Sequence, residues 1–144
     1  MLIAVEQLEK VLQTYLSDTP AAFAYVFGSV VSGFADNESD IDMAIGFGEN
    51  FSNATKQENI LDALVEPLAH ALGIADKKID IKIFGQLPVA LRFRIIRDGK
   101  LIYLKDITSH RLQAVRAIRD YDDEKPFFDV ANKSFFKKYA TKNV

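Results

Sequence analysis

The chain has 144 residues, 49% hydrophobic and 26% charged, with a formal net charge of −2, which is typical of one globular domain. It contains no cysteine and only two histidines, which excludes disulfide scaffolds, thiol catalysis, cysteine-based zinc sites and three-histidine metal sites. The net negative charge argues against a general nucleic-acid coat, whereas the 20 acidic residues favour a hard cation such as Mg²⁺ in any metal site.

The N-terminus does not resemble a targeting signal. Glu6, Glu9 and Lys10 interrupt the short apolar run at the N-terminus before a signal-type core forms. No stretch approaches the roughly 20 apolar residues that a membrane span requires. We therefore expect a cytoplasmic protein whose residues 1–144 form a single domain.

The apolar pattern predicts alternating helices and strands. Residues near 3–17 have helical spacing, and Pro20 lies just beyond them. Short apolar or alternating runs predict four strands at residues 22–27, 41–47, 78–84 and 101–104. Further helices are predicted at residues 30–34, from about 53 to 72, at 88–98, at 108–122 and at about 126–140. The expected fold is α/β, with a small mixed sheet flanked by helices.

Two prolines and one apolar face give more specific expectations for the helices. Pro67 lies inside the predicted helix that ends near Leu72 and should kink or divide it. Pro126 should open the last helix, since proline is favoured in a first turn. In the helix at 108–122, we expect the inward-facing residues to be Leu112, Val115, Ala117 and Ile118.

The segment with the most chemical information is Gly28-Ser29, followed after ten residues by Asp40-Ile41-Asp42. Gly28 ends a strand and, lacking a Cβ, lets the backbone approach a phosphate closely. Ser29 adds a hydroxyl and a backbone N–H at a predicted helix N-terminus, which favours an anion. Asp40 and Asp42 are two residues apart on a strand, so both side chains leave the same face.

A third carboxylate, that of Asp80, lies on the polar face of the alternating strand at 78–84. Neighbouring carboxylates repel one another in the absence of a cation, and a divalent cation removes that repulsion. Three carboxylates together with phosphate oxygens suit a two-metal site for phosphoryl or nucleotidyl transfer. The pattern therefore predicts that Asp40, Asp42 and Asp80 hold one or two Mg²⁺ ions.

With these residues, the chain resembles the minimal nucleotidyltransferases, or MNT proteins, of the DNA polymerase β-like superfamily. The resemblance rests on G-S-x(10)-D-x-D, the later strand aspartate and the similar segment LRFRIIRDGKLIYLKD. In prokaryotes such proteins are commonly antitoxins paired with a HEPN-domain ribonuclease toxin. The family transfers AMP from ATP to a tyrosine of that toxin and so blocks its ribonuclease site.

The resemblance implies a role for each motif residue. Gly28 and Ser29 would bind the triphosphate of ATP, and Asp40 and Asp42 would hold metal. Asp80 would complete the site near the acceptor hydroxyl. A cognate HEPN toxin would be the partner, and the short chain suggests that the acceptor comes from that second macromolecule.

Two other functions remain open from the sequence. A non-catalytic antitoxin could neutralise its toxin by binding alone, although a binder needs no cluster of repelling carboxylates. A nucleotidyltransferase could instead act on RNA or a small molecule. The net charge and the short length disfavour these acceptors, while the basic segment Arg92–Lys105 favours RNA.

Other residues have weaker functional signals. Lys82 shares a strand face with Asp80, where it contacts phosphate, neutralises its neighbours or is a solvated edge lysine. Within Arg92–Lys105, the arginines either bind phosphate or a partner or form a solvated helix face. His70 is expected to be structural and His110 to be a surface residue. The aromatic and lysine-rich helix at about 126–140 is predicted to contribute to partner contact.

Overall fold

The structure, a computed structural model, describes residues 4–28 and 40–142, with side chains up to Phe127. Its helices are α1 (Val5–Leu16), α2 (Ala54–Leu72), α3 (Val89–Asp98) and α4 (Ile107–Lys142). Its strands are β1 (Ala21–Phe27), β2 (Ile41–Phe47), β3 (Ile79–Ile83) and β4 (Lys100–Leu104). Short 3-10 turns at Asp76–Lys78 and Phe84–Gln86 flank β3. The helix predicted at residues 30–34 lies outside the described residues.

The strands form one mixed sheet in the order β3-β2-β1-β4. β1 pairs antiparallel with β2 and β4, and β2 pairs parallel with β3. The parallel pair requires a long crossover connection, which α2 supplies. The predicted α/β fold with a small mixed sheet is confirmed.

Helices cover both faces of the sheet. On one face, α1 and α2 pack their leucines against buried strand residues such as Met43 and Ile45. On the other face, Phe23, Phe84 and Ile95 form a second cluster beneath α3 and α4. A Cβ at Gly46 would lie 2.1 Å from the Phe23 ring, so the close packing of this ring requires glycine at that position.

Local signals account for the ends of α2. The Asn53 side chain accepts a hydrogen bond from the Lys56 N–H at 3.0 Å, as an N-cap residue should. Gly73 has a φ of 70° and its N–H donates to the carbonyls of Ala69 and His70, which closes the C-terminus. The helix runs from Ala54 to Leu72 through Pro67, so the expectation that Pro67 divides it is wrong.

The boundary predicted at Pro126 is also wrong. A single helix of 36 residues, α4, runs from Ile107 to Lys142, and the segment at about 126–140 is its second half. Proline removes one intrahelical hydrogen bond, but Pro126 is exposed, as is Asp122 one turn earlier. Water can satisfy the freed carbonyl there, and the helix continues.

The orientation of α4 differs from the prediction. Ala117 is buried, but Leu112, Val115 and Ile118 are exposed by 48%, 52% and 41%. The inward face has four-residue spacing through Ser109 and Gln113 to Ala117. The Gln113 amide donates to the Phe47 carbonyl at 2.8 Å, and Ser109 bonds to Asp106. The Gln113–Phe47 contact joins this face of α4 to the sheet, and apolar periodicity does not register it.

Candidate functional site

The turn after β1 lies directly beside a carboxylate of β2. The register pairs Phe27, the last residue of β1, with Asp42. Gly28 follows with a φ of 80°, a conformation that favours glycine. A Cβ at Gly28 would lie 2.8 Å from Oδ2 of Asp42. The glycine therefore allows both the turn and the close approach of the backbone to this carboxylate.

Asp42 and Asp80 are paired across the parallel ladder of β2 and β3, so their side chains leave the same face of the sheet. The Asp80 side chain lies close enough to Asp42 to raise the pKa of the Asp42 carboxyl group. Burial raises the pKa of Asp42, and the charges of Asp80 and Asp40 raise it further. Lys82 acts in the opposite direction. The site thus concentrates negative charge that the protein itself only partly neutralises.

The other two predicted site residues lie at the margin of the described chain. Asp40 is exposed and immediately precedes β2, close enough for its charge to act on Asp42. Ser29 lies outside the described residues. The structure thus places Gly28, Asp42 and Asp80 together, with Asp40 at their edge.

The donor set fits a divalent cation. Among the described side chains, those of residues 4–28 and 40–127, no three histidine or acidic residues form a group that could hold a metal ion. Asp42 and Asp80, however, offer oxygen atoms only, which hard cations such as Mg²⁺ prefer. A cation between the two carboxylates would remove their mutual repulsion.

A cleft of about 610 Å³ opens beside these residues. Phe27, Gly28 and Asp42 form its sheet side. The helix side is one face of α3 and its end, comprising Leu91, Arg94, Ile95, Asp98 and Gly99. The volume lies within the range of small-molecule and cofactor sites. The sequence analysis did not predict this cleft. The available signal was the spacing of Leu91, Arg94, Ile95 and Asp98, which places them on one face of a helix.

Lys82 forms an ion pair with Asp80, with 3.5 Å between Nζ and Oδ1. Both side chains are about half exposed, at 52% and 46%. Among the roles considered for Lys82, the ion pair corresponds to neutralisation of a neighbouring carboxylate. An exposed pair of this kind contributes little to stability.

Two of the three arginines of α3 form hydrogen bonds within the described structure, and the third lies at the cleft. Arg92 donates to the Leu87 carbonyl and to Asp120, which ties α3 to the turn before it and to α4. Arg97 pairs with Asp98 through two nitrogens. Arg94 lines the cleft.

Both histidine expectations are wrong. His110 is half-buried, and its Nε2 lies 2.7 Å from the Tyr25 hydroxyl. Its ring packs edge-on against Phe23. Burial lowers the pKa of His110, with a further contribution from Arg111. His70 is exposed on the outer face of α2, because the leucines of that helix take the inward positions.

None of the helices in the described ranges has the length and apolar content needed to cross a membrane. Among curated proteins, no sequence matches this chain.

Solved structures match the fold over most of the chain. A chain of a toxin–antitoxin complex with AMP-PNP is 22% identical, with a TM-score of 0.62, over 90% of this chain and 98% of that one. The complex of tri-AMPylated Shewanella oneidensis HEPN toxin with MNT antitoxin contains a chain 21% identical, with a TM-score of 0.58, over 89% and 98%. A chain of the MntA–HepT toxin–antitoxin complex is 21% identical, with a TM-score of 0.54, over 88% and 95%.

A family model provides the assignment. The model described as polymerase beta, nucleotidyltransferase matches residues 6–108, which include all four strands and the carboxylates of the site. The nucleotidyltransferase resemblance drawn from the motif is thus confirmed at the level of family and fold. This chain belongs to the polymerase beta nucleotidyltransferase family.

Proposed function

We propose that this protein is an antitoxin that transfers AMP from ATP to a tyrosine hydroxyl of a cognate HEPN ribonuclease toxin, releasing pyrophosphate. The observation that carries the proposal is the register of β1, β2 and β3. It brings a glycine turn and two carboxylates to one end of the sheet, beside a cleft of nucleotide size. The similar toxin–antitoxin structures support the choice of partner and donor.

Each site residue has a part in substrate binding. Gly28 leaves room for a phosphate next to Asp42, and Ser29 would add a hydroxyl and an N–H to the same phosphate group. Asp42 and Asp80, with Asp40 at the edge, would hold Mg²⁺. When bound, the ion neutralises the triphosphate and polarises the α-phosphate.

The reaction forms a bond between the tyrosine oxygen and the α-phosphorus and breaks the bond from that phosphorus to the pyrophosphate oxygen. Asp80 lies at the β3 side of the site, where its carboxylate would accept the hydroxyl proton. Pyrophosphate leaves with the electron pair of the broken bond. Catalysis would depend mainly on positioning and on charge stabilisation.

Partner contact through the C-terminal half of α4 stays a prediction, because side chains beyond Phe127 lie outside the described residues. Two observations support it. Phe127 is 76% exposed, and the outward residues Leu112, Val115 and Ile118 add apolar surface on the same helix. Exposed apolar residues grouped on one helix are typical of protein–protein contact. Truncation after Glu124 should weaken toxin binding while the protein stays folded.

The decisive experiment incubates the protein with the product of the adjacent reading frame, Mg²⁺ and α-labelled ATP, followed by mass spectrometry. We expect one or more AMP groups on a toxin tyrosine and loss of ribonuclease activity. Transfer to RNA or to a small molecule would contradict the proposed acceptor. An Asp42→Ala protein that neutralises the toxin at equal stoichiometry would instead indicate an antitoxin that acts by binding alone.

A further inference from the structure

We infer that Arg94 binds the β- and γ-phosphates of the donor nucleotide and stabilises the departing pyrophosphate. This inference rests on the proposed function and assigns a substrate-binding role to a residue outside the glycine–aspartate motif. Four observations carry it: the placement of Arg94, its lack of a partner among the described residues, the rigidity of α3 and the direction in which the leaving group departs.

The first observation is placement. Arg94 lines the same cleft as Gly28 and Asp42, on the wall that faces the sheet. Gly28 is where a phosphate can approach the backbone. A guanidinium across the cleft from this turn is suited to bidentate recognition of phosphate oxygens.

The second observation is that the Arg94 side chain has no hydrogen-bond or ion-pair partner among the described residues. Arg92 is tied to Leu87 and Asp120, and Arg97 is tied to Asp98. Among the described residues, the exposed Arg94 side chain has no hydrogen bond or ion pair. Its charge lies close enough to Asp98 to lower the pKa of that carboxyl group, but Arg97 makes the direct contact. The guanidinium of Arg94 is therefore open to a ligand.

The third observation is that α3 is firmly held. Ile95, next to Arg94, is 1% exposed, and the Arg92 side chain joins α3 to Asp120 of α4. Phe93 stacks on Tyr121, with ring centroids 3.9 Å apart. Gly99, at the end of the helix, donates its N–H to the Ile95 carbonyl at 2.8 Å. A helix held in this way fixes the Arg94 backbone beside the cleft, so only the side chain has to be ordered when a ligand binds.

The fourth observation is direction. In-line displacement places the attacking hydroxyl and the departing pyrophosphate on opposite sides of the α-phosphorus. Asp80 borders Asp42 from the β3 side, whereas Gly28 and Arg94 border it from the β1 side. With the acceptor near Asp80, the leaving group points toward Arg94. A cation there stabilises the negative charge that develops on the pyrophosphate.

The test compares Arg94→Ala, Arg94→Lys and a matched control, Arg116→Ala. Arg116 is a half-exposed arginine of α4 that pairs with Glu49 at 3.8 Å, away from the cleft. Calorimetry with Mg²⁺ present measures affinity for ATP and for pyrophosphate, and transfer assays measure KM and kcat. We expect Arg94→Ala to weaken both affinities by about 10- to 100-fold, since hydrogen bonds to charged groups have that magnitude. Arg94→Lys should retain part of the affinity, and Arg116→Ala should match the wild type.

Two results would overturn the inference. One is ATP affinity of Arg94→Ala within about twofold of the wild type. The other is weaker ATP binding with unchanged pyrophosphate binding, which would place Arg94 on the nucleoside instead. A wild-type protein that binds ATP but transfers nothing to the toxin would contradict the proposed function and leave the phosphate contact standing. A wild-type protein that binds no nucleotide would contradict both.

Discussion

An aspartate lies at each end of the sheet, and the two differ in the direction in which their surroundings shift the pKa. At one end, Asp42 lies beside Asp80, and burial and like charge raise its pKa. At the other end, Asp106 accepts hydrogen bonds from the Ser109 N–H at 3.1 Å and hydroxyl at 2.7 Å at the start of α4. These bonds lower the pKa of Asp106. One carboxylate stabilises the folded chain, and the other is left to be completed by a ligand.

The carboxylate that stabilises the fold and the carboxylate of the candidate site thus lie at opposite ends of the sheet. The Asp106 end resembles an ordinary N-cap, in which a carboxylate satisfies free N–H groups of a helix. The Asp42 end keeps unfavourable charge in a half-buried position, which is typical of functional sites. Matched substitutions at the two ends should therefore have opposite effects.

The largest expected effect is on catalysis. Asp42→Ala removes a carboxylate that would hold Mg²⁺ at the α-phosphate, and metal stabilisation of a transition state amounts to several kcal/mol. We expect AMP transfer to fall by about 1,000-fold or more, measured by mass spectrometry of the toxin. Asp106→Ala serves as the control and should retain activity at temperatures where it is folded. Comparable loss in both variants would contradict the division between the two ends.

The next effect is on ligand-dependent stability. Mg²⁺ with ATP should raise the Tm of the wild type, because a ligand that binds only the folded state stabilises it. At 100 times Kd the gain is about 2.7 kcal/mol. Asp42→Ala should show no such gain, whereas Asp106→Ala should gain as much as the wild type. A wild-type Tm that no nucleoside triphosphate changes would argue against the site.

A smaller effect is expected without ligand. With a chelator present, Asp42→Ala should raise Tm, because the substitution removes a half-buried charge next to Asp80. Asp106→Ala should lower Tm by a few degrees through loss of the cap of α4. Calorimetric unfolding measures both values. A lower Tm for Asp42→Ala would show that charge repulsion does not burden the metal-free protein.

The smallest effect concerns pH. Burial lowers the pKa of His110 from its usual 6.5, so the unfolded chain binds a proton there that the folded chain does not. The His110 contribution should therefore leave stability unchanged above neutrality and lower it as pH falls below 6.5 toward the pKa of the folded state. His110→Gln should remove this component of the slope in denaturant unfolding, and an unchanged slope would contradict the prediction.

The sequence predicts the positions of Gly28, Asp42 and Asp80 well. Each of these residues lies at the end of a strand whose apolar or alternating pattern is strong. Side chains two apart on a strand share a face whatever surrounds them. The paired strands then bring Asp42 and Asp80 side by side. The role of the three carboxylates in holding metal stays a prediction.

The sequence predicts less well where a helix has more than one possible face. Leu112, Val115 and Ile118 have an inward-facing pattern, yet they are exposed, and Gln113 instead faces the sheet and donates to the Phe47 carbonyl. His110 likewise becomes half-buried because α4 docks on Tyr25 and Phe23. Such contacts join residues far apart in the chain, and apolar periodicity does not reveal them.

The fold class, the strand positions and the placement of Gly28, Asp42 and Asp80 at strand ends could be predicted from the sequence, since these depend on local patterns. Which arginine faces the cleft depends on tertiary packing. Arg92, Arg94 and Arg97 are equivalent in sequence terms, but the docking of α3 pairs Arg92 with Asp120, Arg97 pairs with its neighbour Asp98, and Arg94 lies beside Gly28 and Asp42. The physical reason is that a helix face acquires its role from what it packs against.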